Sequence, residues 1–108
     1  MLGVKVAISR YVDDYQPGIV ECSLIDVWGN RHLFVEKVPV VYSENLDAGS
    51  SYPRAGIIAC QVIERKNIDG REVVGIGTEI PWHIESTTGK AFFDISPNQL
   101  IEFDENVV

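Results

Sequence analysis

His83, Glu85 and Ser86, in the stretch "PWHIES" at residues 81–86, are the residue types of a hydrolytic triad. A second stretch, "WGNRH" at residues 28–32, carries Trp28 and His32, so the chain's two tryptophans and two histidines fall in two short segments. In an extended strand His83 and Glu85 face one side and Ser86 the other. A triad requires each member to hydrogen-bond to the next, which residues so close in sequence do not readily supply. His83 and Glu85 remain as an acid–base pair, the basis of one functional reading.

Other chemistries have weaker support. "GIG" at residues 75–77 is a fragment of a dinucleotide loop, but Pro81 follows where a helix would be needed. Cys22 and Cys60 are far apart, with no CxxC, and neither histidine falls at a zinc-finger spacing. Asp13, Asp14 and Asp26 form no calcium-loop pattern. The carboxylates at 102, 104 and 105 read as a solvated tail. Neither a cofactor nor a metal is expected. The two cysteines are too few for a disulfide scaffold and sit in apolar runs, so buried free thiols are expected.

The elements that must position these residues are strands. In "LGVKVAISRYV" the even positions Leu2, Val4, Val6, Ile8 and Val12 are apolar, with Arg10 the exception. Alternation with β-branched residues predicts a half-buried strand. "DDYQPG" is a turn. "IVECSLIDVW" puts Val20, Cys22 and Leu24 on one face, and Gly29-Asn30 closes a hairpin onto "RHLFVEKVPVVY". Pro39 makes that return strand an edge or bends it. Residues 43–55 form a long loop, with Ser43 available to cap one helical turn. "GIIACQVIERK" reads as one strand, "NIDG" as a hairpin turn, and "REVVGIGTEI" as the strand that pairs back. "WHIEST" and "KAFFDIS" read as a last hairpin around Thr88-Gly89. Ser96, Pro97 and Gln99 then spell a capping box for one short helical turn, with Leu100 on the core. The tail "DENVV" is expected to fray.

This pattern predicts an all-β fold: a small antiparallel barrel or sandwich of about six or seven strands with one short C-terminal helical turn. At 108 residues the chain is expected to be a single barrel-like domain over 1–108. The formal charge of −7 disfavours nucleic acid and anionic membrane surfaces as partners. No apolar run approaches the ~20 residues of a membrane helix, and the start lacks a signal-peptide pattern. A cytoplasmic protein is expected.

In an up-and-down meander, connections alternate between two ends. The 13–18 turn, the 43–55 loop and the Pro81 bend then share one end, opposite Trp28 and His32. That end gathers Tyr15, Tyr42, Tyr52, Arg54, Trp82 and His83, the composition of an interaction surface. The plainer alternative is that Trp82 and Tyr42 cap the core. The favoured reading is a small acidic binding module, not an enzyme, whose loop-borne aromatic surface meets a protein. One alternative is a small enzyme or enzyme subunit using His83 and Glu85. Another is an immunity- or inhibitor-type protein whose acidity neutralises a basic partner.

Overall fold

The computed structural model describes residues 1–14 and 17–104. It is all-β, with eight described strands in two antiparallel sheets. The sheets do not close into a barrel; of the two predicted forms, the sandwich is the one observed.

The first sheet contains β1 (Leu2–Asp13), β2 (Ile19–Ile25), β3 (Arg31–Lys37) and β4 (Arg54–Ala59) in the order β3-β2-β1-β4. A fifth strand, β8 (Leu100–Glu102), pairs with the N-terminal part of β1. β1 is thus shared along its length. β4 runs along one side, from Gly3 to Ile8. On the other side β8 covers Leu2 to Val4 and β2 takes over from Ala7. The second sheet is β5 (Gln61–Ile68), β6 (Arg71–Gly77) and β7 (Phe92–Ile95). Its β5–β6 turn is Asp69-Gly70, both at positive φ (52° and 81°), the geometry that tight two-residue hairpins require.

The alternation read from β1 and β2 produces the core. Val4, Val6, Ile8, Val20, Cys22 and Leu24 point inward from the first sheet, and Val74, Ile76, Phe93 and Ile95 from the second. Phe34 and Phe93 meet edge to face across the sheets at 5.6 Å, the arrangement that aromatic quadrupoles favour.

Several connections differ from those predicted. The strands are not a meander, because β1 lies between β2 and β4 and the chain must cross from β3 to the far edge. Pro39 does more than bend the strand: β3 ends at Lys37, and Val38–Val41 form a single helical turn, α1, with Pro39 in its first turn. That position needs no N–H from proline. No turn of helix is capped by Ser43. Instead Val38, Val41 and Leu46 drop into the core, so the crossing segment helps to seal it.

"GIIACQVIERK" is two strands, not one. Cys60 stands alone between β4 and β5, and there the chain passes from one sheet to the other. The predicted last hairpin is reduced to a turn: of residues 79–95 only β7 is a strand, and it pairs with β6. Thr78 replaces the missing ladder locally, its Oγ1 donating to Ile84 O at 2.7 Å and its N–H to Ala91 O at 2.8 Å. The capping box is present: Gln99 Oε1 accepts from Ser96 N at 2.9 Å over the 3-10 turn Pro97–Gln99. Strand β8 follows at once, with Leu100 packed against the core as expected. Of the tail, residues 105–108 lie outside the described residues.

Candidate functional site

The sequence-predicted surface divides. Trp82 and Tyr42 line one groove, of about 510 Å³, together with Ile57 and Phe103. The groove lies on the outer face of the first sheet, because Lys5, Ala55, Ile57 and Ile101 alternate with the inward-facing Val4, Val6, Ile58 and Leu100. Pro39 and Val40 from α1 form a wall. Trp82 lies in the turn that follows β6, just after Pro81, whose peptide bond is cis, and meets Phe103 edge to face at 6.4 Å. It stays 39% exposed. The chain therefore presents Trp82 at the surface rather than using it to plug the core.

Arg54 joins this site indirectly. Its Nη1 donates to the Tyr42 hydroxyl at 3.1 Å, its Nε donates to Ser51 O at 2.8 Å, and its guanidinium carbon lies 5.3 Å from the Tyr42 ring centre. The two contacts to Tyr42 hold that ring in place beside the groove, and the bond to Ser51 O anchors Arg54 itself. Tyr52 does not line the groove. It packs against the core and donates its hydroxyl to Asp47 O at 2.7 Å, bracing the loop between α1 and β4. Tyr15 lies outside the described residues.

His83 and Glu85 are both exposed, and among the described residues neither side chain has a hydrogen bond or ion pair. His83 sits at φ 53°, an unusual value for a residue with a Cβ, and its N–H bonds Glu79 O at 2.7 Å. Ser86 is buried, its Oγ taken up by the N–H groups of Thr88 and Lys90. The three residue types of the triad are thus not joined to one another.

Trp28 and His32 belong to a different place. The Trp28 indole N–H donates to Asp94 Oδ2 at 3.1 Å on β7. His32 lies edge-on to Phe93 at 4.8 Å. Sequence reasoning missed what organises this hairpin, which is Asp26. Its Oδ1 accepts from Trp28 N at 2.9 Å and Asn30 N at 2.8 Å, and its Oδ2 is 2.8 Å from His32 Nε2. Burial opposes ionisation of this carboxyl, but the bonds from His32, Asn30 and Trp28 outweigh it and hold the group below the usual carboxylate range. An Asp placed two and four residues before turn N–H groups was the available signal.

The two Trp–His segments are separate, as expected: Trp82 contacts Phe103 while Trp28 contacts Asp94. The meander argument that led to this expectation does not hold, and the separation arises from the two sheets.

Cys22 and Cys60 are buried free thiols. Burial raises their pKa to about 12 and about 11, which leaves them in the unreactive protonated form. Among the described residues no cluster of three or more His, Cys, Asp or Glu side chains could hold a metal ion, and no helix is long and apolar enough to cross a membrane. Comparisons with protein-family models, with curated proteins and with solved structures find no match.

Proposed function

We propose that this acidic chain is a binding module that takes an extended segment of another protein into the groove beneath Trp82. The observation that carries the reading is that an edge strand, β4, helps to floor an aromatic-lined groove with its outer face. Among the described strands β4 ends the strand order and pairs only with β1, with α1 packed near it. Cys60 N donates to Leu2 O at 3.0 Å, and the register from there to Arg54 is unbroken. In an antiparallel ladder the bonded pairs alternate. Arg54, Gly56 and Ile58 therefore bond β1, while the polar backbone groups of Ala55 and Ile57 point away from it.

Ala55 and Ile57 also line the groove. A partner strand laid there gains main-chain bonds to the edge and packs alternate side chains beside Ile57 and Tyr42, facing the groove that Phe103 and Trp82 close on its far side. A free edge is otherwise a liability for a soluble protein. The two reduced cysteines suit a cytoplasmic setting.

The test is selection of extended peptides from a displayed random library against the whole chain. Selected peptides should shift the amide resonances of Ala55 and Ile57. Trp82→Ala should weaken them by about 2 kcal/mol while the fold survives. Its partial exposure should keep the cost to stability below the roughly 3–5 kcal/mol of a fully buried tryptophan. Peptides that bind the Trp82→Ala protein as tightly as the parent would defeat the proposal.

A further inference from the structure

The edges of the two sheets are not left alike. In β3, Leu33 O accepts Thr87 N at 2.8 Å, and in β7, Asp94 O accepts Val27 N at 2.8 Å. β4 has α1 packed near it. Among the described residues no backbone bond from outside its own hairpin reaches β5, the eight-residue edge of the second sheet. That edge plays no part in the groove beneath Trp82. An exposed edge is a row of unpaired N–H and C=O groups, a template for another strand.

The hairpin determines which groups face out. Ile68 and Arg71 flank the two-residue turn Asp69-Gly70, so they form a bonded pair. Bonded pairs alternate along an antiparallel ladder. Lys66 with Val73 and Glu64 with Gly75 are then bonded pairs too, and the backbone groups of Arg65 and Asn67 point away from β6. A bulge between Val62 and Glu64 ends this regular stretch. Side chains alternate as well. Glu64 and Lys66 share one face, with Oε1 and Nζ 3.3 Å apart. Arg65 takes the other face, its Nη1 3.2 Å from Glu72 Oε2.

Charge selects the occupant. A glutamate and a lysine two residues apart on one face make β5 complementary to itself. Two copies related by a twofold axis can align in only a few registers. An axis at Glu64 sets the two Glu64 side chains against each other, and an axis at Lys66 does the same to the lysines; like charges directly opposite are destabilising. An axis at Asn67 carries the pairing past the end of β5 at Ile68. An axis at Arg65 sets Glu64 against Lys66 of the second copy, twice. The two Arg65 side chains then meet across the axis, each already bridged to its own Glu72. Charges usually keep an edge from pairing. On β5 they oppose the wrong registers and leave one. We infer that β5 pairs antiparallel with β5 of a second copy about an axis at Arg65, which joins two three-stranded sheets into one of six. The bulge keeps the regular pairing short, so the dimer is weak.

The test is sedimentation equilibrium of the whole chain at low ionic strength, from about 0.02 to 2 mM, the range in which weak complexes form. Apparent mass should climb toward that of two chains, and the amides of Arg65 and Asn67 should gain protection from hydrogen exchange. Glu64→Lys and Lys66→Glu should each weaken self-association about tenfold or more, because each sets like charges opposite. An equimolar mixture of the two variants should associate at least as well as the parent, since every position then faces the opposite sign. The Glu64 and Lys66 side chains are 57% and 37% exposed, so both variants keep the fold. Trp82→Ala should leave self-association unchanged, so this edge can fail or succeed apart from the peptide groove. The inference is overturned by a single-chain mass at every concentration, by association that neither variant weakens, by a mixture no stronger than the variants alone, or by protection gained at Ala55 and Ile57 in place of Arg65 and Asn67.

Discussion

Replacing Asp26 with alanine removes one carboxylate and three hydrogen bonds at once. The side chain is only 5% exposed, so water does not readily take its place. Trp28 N, Asn30 N and His32 Nε2 all lose a partner at 2.8–2.9 Å. Hydrogen bonds to charged groups contribute about 1.5–3 kcal/mol each when buried, and these donors are only partly buried. A combined loss of about 3 kcal/mol is the reasonable figure. For a domain of this size that lowers Tm by roughly 12–20 °C. Asp26→Asn keeps an acceptor for the turn but loses the charge, and should cost about half as much.

The effect must also depend on pH. The folded carboxyl titrates below its unfolded value of about 3.9. Its contribution is therefore fully present above about pH 4 and disappears as pH falls through the lower folded value. Urea unfolding at pH 7 and again near pH 2.5 measures both. The gap between wild type and Asp26→Asn should narrow at acid pH. A loss under about 0.5 kcal/mol for Asp26→Ala at pH 7 would show that the hairpin does not depend on this carboxylate, and the account of its geometry would fall.

Thiol titration at pH 8 should find Cys22 and Cys60 unreactive in the folded protein and two free thiols after denaturation, because both groups titrate near or above pH 11. Fast reaction of the native protein would contradict their burial. Gly56→Ala should destabilise by about 1–3 kcal/mol, read from chemical denaturation. The added Cβ would lie 2.8 Å from Ile8 Cγ1, in a fully buried side chain, and 3.1 Å from Val41 O, which is backbone; a neutral result would mean that α1 can move away from β4.

The parts of the fold that were legible are those in which local chemistry and tertiary need agree. Alternation in β1 as far as Ile8, and in β2, named the inward residues because one face of each strand is buried; past the register shift at Ile8–Arg10 the faces exchange, so Val12 is exposed and Tyr11 packs against the core instead. Asp69-Gly70 and the Ser96–Gln99 box depend only on a few neighbouring atoms. The strand break at Cys60 was not legible. Residues on both sides of it favour strand equally, and only the packing of two sheets requires the chain to cross there. β8 was hidden for a related reason: "LIE" follows a helix-capping signal, and its partner, Leu2–Val4 in β1, lies about a hundred residues away.

The candidate site shows the same limit at closer range. Tyr42, Arg54 and Trp82 were chosen by residue type, and Tyr52 was chosen with them on the same grounds. Type cannot separate Tyr42, whose hydroxyl takes a hydrogen bond from Arg54 beside a groove, from Tyr52, whose hydroxyl gives one to Asp47 O within its own loop. Both are tyrosines on one connection, and the difference is only which way the chain turns between them. The edge of β4 is less visible still. No residue marks it, because a free edge is a row of backbone groups, and it exists only because β1 takes β4 on one side and β2 with β8 on the other. If a partner binds there, the residues that recognise it most directly, Ala55 and Ile57, do so through peptide groups that every sequence carries. A search for unusual side chains would pass over them, and the pairing of strands is what brings them into view.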